Sequence, residues 1–198
     1  MININSLDKL IEDSENEILN IRPDTEKKII WANQNKMKTK ISLVFIHGFS
    51  ATRAELDPVI EMLGKELNAN IFFTRLRGHG LDGEALAEAT FDDWMIDTKE
   101  AIDIGNAIGD SLILIGCSTG CSLIHANLQY TENALAIIYV SPNFGPKSFF
   151  GQLLRIPGAE WFIPFIFGKE YSFVPRNADH ARCWTTSYPI RALFAVKD

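Results

Sequence analysis

From residue 41 to residue 142 the chain alternates short apolar runs with stretches of helical period, and this alternation restricts the fold more than any other feature. ISLVFIH (41–47), NIFFTRL (70–76), SLILIGC (111–117) and ALAIIYVSP (134–142) have strand length and are rich in β-branched and aromatic residues. Such runs suit strands covered on both faces, as in a parallel sheet whose crossovers are helices. The segments between them supply the helices. Residues 54–67 place Leu56, Val59, Ile60, Leu63 and Leu67 on one stripe. Thr90 caps a second helix that reaches about Ile108 and carries Asp92 and Asp93 in its first turn, where the macrodipole favours acids. Residues 120–130 predict a third. The predicted fold class is α/β: three layers, with a doubly wound, mainly parallel sheet between helices.

Around this core the signals weaken. SLDKLIEDSENEIL predicts an amphipathic helix through Leu7, Leu10, Ile11 and Ile18, and KKIIWA an edge strand. After Pro142 the stretch from Phe144 to Asn177 is dense in aromatics, prolines and glycines without a clean period, which predicts an irregular excursion over a cleft. A final helix is expected from about Pro189. The expected division is residues 1–141 as the N-terminal part of the core and 142–198 as a cap-like segment with its following helix.

Composition excludes several classes. The chain has 198 residues, 46% hydrophobic and 22% charged, enough to bury a sizeable core. A net charge of −6 leaves no basic face for nucleic acid. The N-terminus lacks the basic and apolar regions of a secretory signal, and no run approaches 18 apolar residues, so no integral membrane segment is expected and the expected compartment is the cytoplasm. Cys117, Cys121 and Cys183 form neither a C-x-x-C pair nor a metal-ligand spacing with histidine, and are read as reduced thiols. No metal and no cofactor is predicted.

Chemistry concentrates at residues 116–120, GCSTG, where an apolar run ends and a helix begins. A serine in so sharp a turn needs small neighbours, here Gly116 and Gly120, and its oxygen is then thrust into a cleft beside the N–H groups that open the helix. The same residues also suit a plain helix cap with close strand–helix packing. His47-Gly48-Phe49 ends the first strand, and in a doubly wound sheet both strand ends lie along the carboxyl edge, where ligands bind. Ser118 is the candidate nucleophile, with the backbone N–H groups of Phe49 and Thr119 as candidate oxyanion donors and His47, Gly48, Gly116 and Gly120 as supports of the two loops.

VFIHGFSAT (44–52), LRGHG (76–80), FDDW (91–94) with Asp97, LILIGCSTG (112–120) and IYVSPNF (138–144) together resemble the α/β-hydrolase superfamily, in its esterase, monoacylglycerol-lipase and serine-aminopeptidase-like branch. The likeness spans roughly residues 40–145. It implies a Ser-His-acid triad and hydrolysis of an ester, thioester or amide, with a small-molecule acyl ester as the expected substrate. It also implies a chain order of serine, acid, then histidine.

The residues after Ser118 do not supply that order. His125 is two helical turns on, roughly 10 Å in rise, and too far to take the serine proton. His47 and His79 belong to loops, His180 lies in the cap-like segment, and Asp198 has no strand before it. The expectation is therefore the nucleophile-bearing part of a hydrolase whose acid and histidine lie C-terminal to this chain, with little turnover from these residues alone. One sheet edge is expected to be open, and a second copy of the chain is one way to cover it. The aromatic segment 144–173 is read as an acyl-binding cap. Two other readings remain: a non-catalytic protein of the same fold that binds an apolar ligand or a partner, and a thioesterase or aminopeptidase, for which Glu160 and Glu170 are the only acidic cap residues that could meet a substrate amine. Cys117 and Cys121 are read as small buried residues, and Trp94 and Asp97 as structural.

Overall fold

Lys28–Ile30 (β1), Thr39–Ile46 (β2), Asn70–Phe73 (β3), Gly109–Cys117 (β4) and Ala134–Val140 (β5) form one sheet in the order β1-β3-β2-β4-β5. The computed structural model describes residues 2–145 and 149–196. β1 is antiparallel at one edge; the other pairs are parallel. Five helices accompany these strands: Leu7–Asn16 (α1), Val59–Leu67 (α2), Gly83–Glu88 (α3), Phe91–Ile108 (α4) and Thr119–Ala126 (α5).

The continuous apolar runs make sense once both faces of the sheet are covered. Successive side chains of a strand point to opposite faces. Leu43 and Phe45 of β2 pack with Ile60 of α2 and with Ile71 and Phe73. Val44 and Ile46, one position along, join Trp94, Ile102 and Ile104 of α4 and Leu123 of α5 on the other face. β4 repeats the division, with Ile113 and Ile115 on the α2 side and Leu112 and Leu114 on the α4 side. Full burial of each such side chain contributes about 1.5–3 kcal/mol, so the strands are anchored from both directions. The three-layer α/β/α architecture is the one the sequence predicts.

Several boundaries differ from the sequence reading. The helix expected over 54–67 is split: Arg53–Leu56 is a 3-10 turn, Pro58 breaks the run, and α2 starts at Val59. Of its expected stripe Ile60 is buried, whereas Val59 and Leu67 face solvent. The strand expected to reach residue 76 ends at Phe73, and the helix expected to reach 130 ends at Ala126 with a 3-10 turn after it. α1 ends at Asn16, short of the expected stripe; Leu7 and Ile11 are buried, but Leu10 and, beyond the helix, Ile18 are exposed. α4 carries its expected cap. Thr90 Oγ1 accepts from the Asp93 N–H at 3.2 Å and the Asp93 carboxylate accepts from the Thr90 N–H at 2.9 Å, a reciprocal capping box.

The segment after β5 is more regular than its composition predicts. It contains Phe149–Leu153 (α6), Ala159–Phe167 (α7), Glu170–Ser172 (β6), Ala178–Cys183 (α8) and Ser187–Pro189 (β7). β6 and β7 form an antiparallel pair, and Leu154, Ala159, Ile163 and Ile190 make a small core of their own. The helix expected near Pro189 is instead β7 followed by a 3-10 stretch over Ile190–Val196. Lys197 and Asp198, which the sequence reading placed in that helix, lie outside the described residues. Among the described residues no strand lies beyond β5, and Leu135 and Ile138 on it are exposed.

Candidate active site

Ser118 stands at the junction of β4 and α5 with φ +50° and ψ −113°. That conformation is sparsely populated for a residue with a Cβ, and such strain persists only where the surroundings over-determine it. Here they do. The Ser118 N–H donates to the Val140 carbonyl at 3.0 Å, and the Ser118 carbonyl accepts from Cys121 N–H at 3.1 Å and Asn143 N–H at 3.2 Å. The flanking glycines leave no room for alternatives. A Cβ on Gly120 would lie 2.1 Å from the Ile46 carbonyl oxygen, and one on Gly116 would lie 2.8 Å from Cys121 N. The turn exists because β2, β4 and α5 meet at backbone contact.

Opposite Ser118 runs the loop from His47 to Thr52. A Cβ on Gly48 would be 3.1 Å from Ser118 Cβ, so the loop and the serine turn are in direct apposition. The N–H groups of Phe49 and Thr119 have no protein acceptor among the described residues, and neither does the Ser118 hydroxyl. The Thr119 hydroxyl is buried and also without a partner. Unpaired buried polar atoms are costly and few in native proteins.

Two histidines hold the loop. His47 Nδ1 lies 2.9 Å from the Gly48 carbonyl, and its Nε2 accepts from Leu76 N–H at 3.2 Å. His79 Nδ1 lies 3.1 Å from the Arg77 carbonyl, and its Nε2 accepts from Ser50 N–H at 3.1 Å. Each ring satisfies both partners only as the neutral Nδ1–H tautomer. Burial is the main cause that drives His47 down to about 4 and His79 well below the ordinary histidine value. Neither ring nitrogen is free for a serine proton. The rings lie 4.8 Å apart, and Phe49 closes the cluster against His79, Trp94 and Tyr188.

LRGHG and the FDDW segment meet at Arg77. Its N–H donates to Asp97 at 2.6 Å, its guanidinium meets Asp93 at 3.1 Å, and its carbonyl accepts from Trp94 Nε1 at 2.9 Å. Trp94 and Asp97 therefore hold the loop carrying His79. Burial pushes the Asp97 carboxyl up to about 6, with the Arg77 N–H opposing. Raised above its unfolded value, Asp97 costs no stability below about pH 4; the cost develops between about pH 4 and 6, where only the unfolded chain ionises, and is complete above that. Asp97→Asn keeps an acceptor for Arg77, so its stability relative to the parent should be unchanged at pH 4 and higher by about 2 kcal/mol at pH 7. Urea unfolding of both proteins at the two pH values measures this, and an equal difference at both would refute it.

The remaining histidines are elsewhere. His125 is exposed on α5 against Phe144, with ring centroids 5.4 Å apart. His180 lies between Phe173 and Trp184, and its Nδ1 accepts from Arg176 N–H at 3.1 Å. Beside α5 a cleft of about 400 Å³ is lined by Phe91, Thr119, Ser122, Asn143, Phe144 and Arg155. Among the described residues no group of histidines, cysteines and carboxylates is arranged to hold a metal ion, and no helix is long and apolar enough to cross a membrane. The sequence reading missed Glu55, which accepts from Gly48 N–H at 2.7 Å. A glutamate in a turn of RAELDP carries no signal of such a contact.

Comparison with known proteins bears on the whole arrangement. The Alpha/beta hydrolase family profile matches residues 43–195. No curated protein sequence matches the chain. The fold is similar to a structure described with LipS and LipT, two metagenome-derived lipolytic enzymes, at TM-score 0.71 and 18% identity over 89% of this chain and 68% of that one. It is also similar to a monoacylglycerol lipase from Paleococcus ferrophilus, at TM-score 0.54 and 14% identity over 86% of this chain and 67% of that one. A third likeness is to the alpha/beta hydrolase GrgF from Penicillium sp. sh18, at TM-score 0.58 and 13% identity over 86% and 72%. The chain spans about two-thirds of the length of the first two.

Proposed function

The chain belongs to the alpha/beta hydrolase family, and from this we propose that it is a serine hydrolase of carboxylic esters in which Ser118 is the nucleophile. The observation that carries the reading is the strained Ser118 backbone with two unbonded N–H groups, Phe49 and Thr119, on the loops that flank it. The Ser118 Oγ would attack the acyl carbonyl carbon, and the oxyanion formed would take both N–H groups as donors. Collapse breaks the ester C–O bond and expels the alkoxide, which is protonated to the alcohol, and water then hydrolyses the acyl-serine to free the acid and restore the Ser118 hydroxyl. The cleft beside Thr119, with Phe91 and Phe144 in its wall, is the place we assign to the apolar part of the substrate.

No imidazole among the described residues hydrogen-bonds the Ser118 hydroxyl, and we take it to lack a base. Removing a triad base leaves catalysis some 10³- to 10⁴-fold above water, supplied by the oxyanion hole and binding. The 198-residue chain should accordingly react slowly with a fluorophosphonate, at a rate rising about tenfold per pH unit from 6 to 9, because hydroxide must remove the proton. Peptide mass mapping should place the adduct on Ser118 and find none in Ser118→Ala. A rate that levels off near pH 7 would mean that an imidazole is at work, with His180 the first suspect. A chain that stays unlabelled at pH 9 would leave the competing reading, a binding protein of the same fold, which the absence of a base beside Ser118 favours.

A further inference from the structure

Glu55 is a half-buried carboxylate that the chemistry above leaves unused. It sits in the 3-10 turn that follows the His47–Thr52 loop. Its Oε2 accepts from Gly48 N–H at 2.7 Å. The thiol of Cys117, the residue before Ser118, lies within reach of its charge. A Cβ on Gly48 would be 3.0 Å from Glu55 Oε1 and 3.1 Å from Ser118 Cβ, so carboxylate, loop and serine turn crowd around one glycine. Among the described residues no lysine, arginine or histidine forms an ion pair with Glu55.

We infer that Glu55 is a positioning residue, a brace between the loop that carries Phe49 and the turn that carries Ser118. The inference rests on the reading of those two residues as oxyanion donor and nucleophile. Each contact of the carboxylate falls next to a reacting group: Gly48 precedes Phe49, and Cys117 precedes Ser118. Engaging the Gly48 N–H inward fixes the peptide whose neighbour, the Phe49 N–H, is left without a protein acceptor. A carboxylate is taken out of water at a cost unless it is paired, and here the Gly48 N–H takes the place of a cation. Burial pushes the Glu55 carboxyl up, and the Gly48 N–H and the nearby Cys117 thiol oppose that. Burial first, then the charge of Glu55, pushes the Cys117 thiol up to about 12, which keeps it a donor. The negative charge also opposes an oxyanion forming nearby, so acceptor geometry and charge act in opposite directions. They are separable.

Glu55→Gln keeps a carbonyl acceptor for Gly48 and removes the charge; Glu55→Ala removes both. The test is the rate of fluorophosphonate labelling of Ser118 at pH 8.5, with amide hydrogen exchange of Gly48, Val44 and Phe45 followed by NMR in the same 198-residue proteins. Glu55→Ala should label about 10- to 100-fold more slowly, the scale of a misplaced oxyanion donor. Its Gly48 amide should exchange at least about tenfold faster while Val44 and Phe45 stay unchanged. Glu55→Gln should keep Gly48 protected and label about threefold faster than the parent. Equal labelling of all three proteins would overturn the brace and leave the Ser118 reading intact. So would equal slowing of both variants with Val44 and Phe45 loosened, since that is general destabilisation. A parent chain unlabelled at Ser118 would overturn the nucleophile reading and the positioning role with it, whatever Gly48 does.

Discussion

Gly120→Ala should destabilise the protein by about 3 kcal/mol or more, seen as a drop of roughly 10 °C in the thermal midpoint. The added methyl would lie 2.1 Å from the Ile46 carbonyl oxygen and 2.9 Å from the His47 carbonyl oxygen. Both atoms belong to backbone, so no side chain can swing aside. Ile46 is paired with Gly116 of β4, and its side chain is fully buried. Relief therefore requires α5 to move off the sheet, taking Ser118 with it. The variant should lose Ser118 labelling at temperatures where circular dichroism still reports a folded chain. A change in stability below about 0.5 kcal/mol would show that α5 stands further from β2 than these contacts allow.

The second large effect is expected at Glu15→Ala. Arg75 meets Glu15 through Nε and Nη2, both at 2.8 Å, with only 3% and 8% of the two side chains exposed. The same carboxylate accepts from Lys27 N–H at 2.9 Å, and Arg75 also donates to the His79 carbonyl at 3.2 Å. Glu15 thus joins α1, the approach to β1 and the loop carrying His79. Truncating it strands a buried guanidinium, at a cost of about 3–5 kcal/mol. That is a large share of the 5–15 kcal/mol that holds a typical domain together. The double variant Glu15→Leu with Arg75→Met should recover most of the loss, because apolar side chains of similar volume need no partner. Urea unfolding of the three proteins decides the matter. A single-variant cost under 1 kcal/mol would mean that water reaches the pair.

The parts of the fold that could be read in advance are those where one physical cause acts on every residue of a segment. Residues 43–46 of β2 and 112–115 of β4 are buried on both faces, so each of these positions had to be apolar. α4 carried a cap and two acids in its first turn, and both are present in the structure. α3 was missed, because six residues are too few to show a period. The cap-like segment was misjudged because its helices lean on a small local core, Leu154, Ala159, Ile163 and Ile190, rather than on the sheet. On α7 that leaves Trp161 and Phe165 exposed at 84% and 93%, so no polar side of the helix marks its period.

The candidate site divides in the same way. GCSTG and HGF announced a tight turn and a close loop because glycine is the one residue that tolerates backbone contact, and local chain geometry needs no partner to be legible. Contacts between distant residues left no trace. Glu15 and Arg75 are 60 positions apart, and His79 reaches Ser50 across 29; nothing in either neighbourhood names the other. Composition, period and turn chemistry act along the chain, and they were enough for the layers, the mainly parallel sheet and the turn that carries Ser118. Which carboxylate braces the loop, which imidazoles are locked neutral, and which N–H groups are left unbonded depend on where folding brings separate segments together. Those pairings are fixed by burial and by the need of each buried polar group for a partner, and both come into being when the sheet closes against its helices.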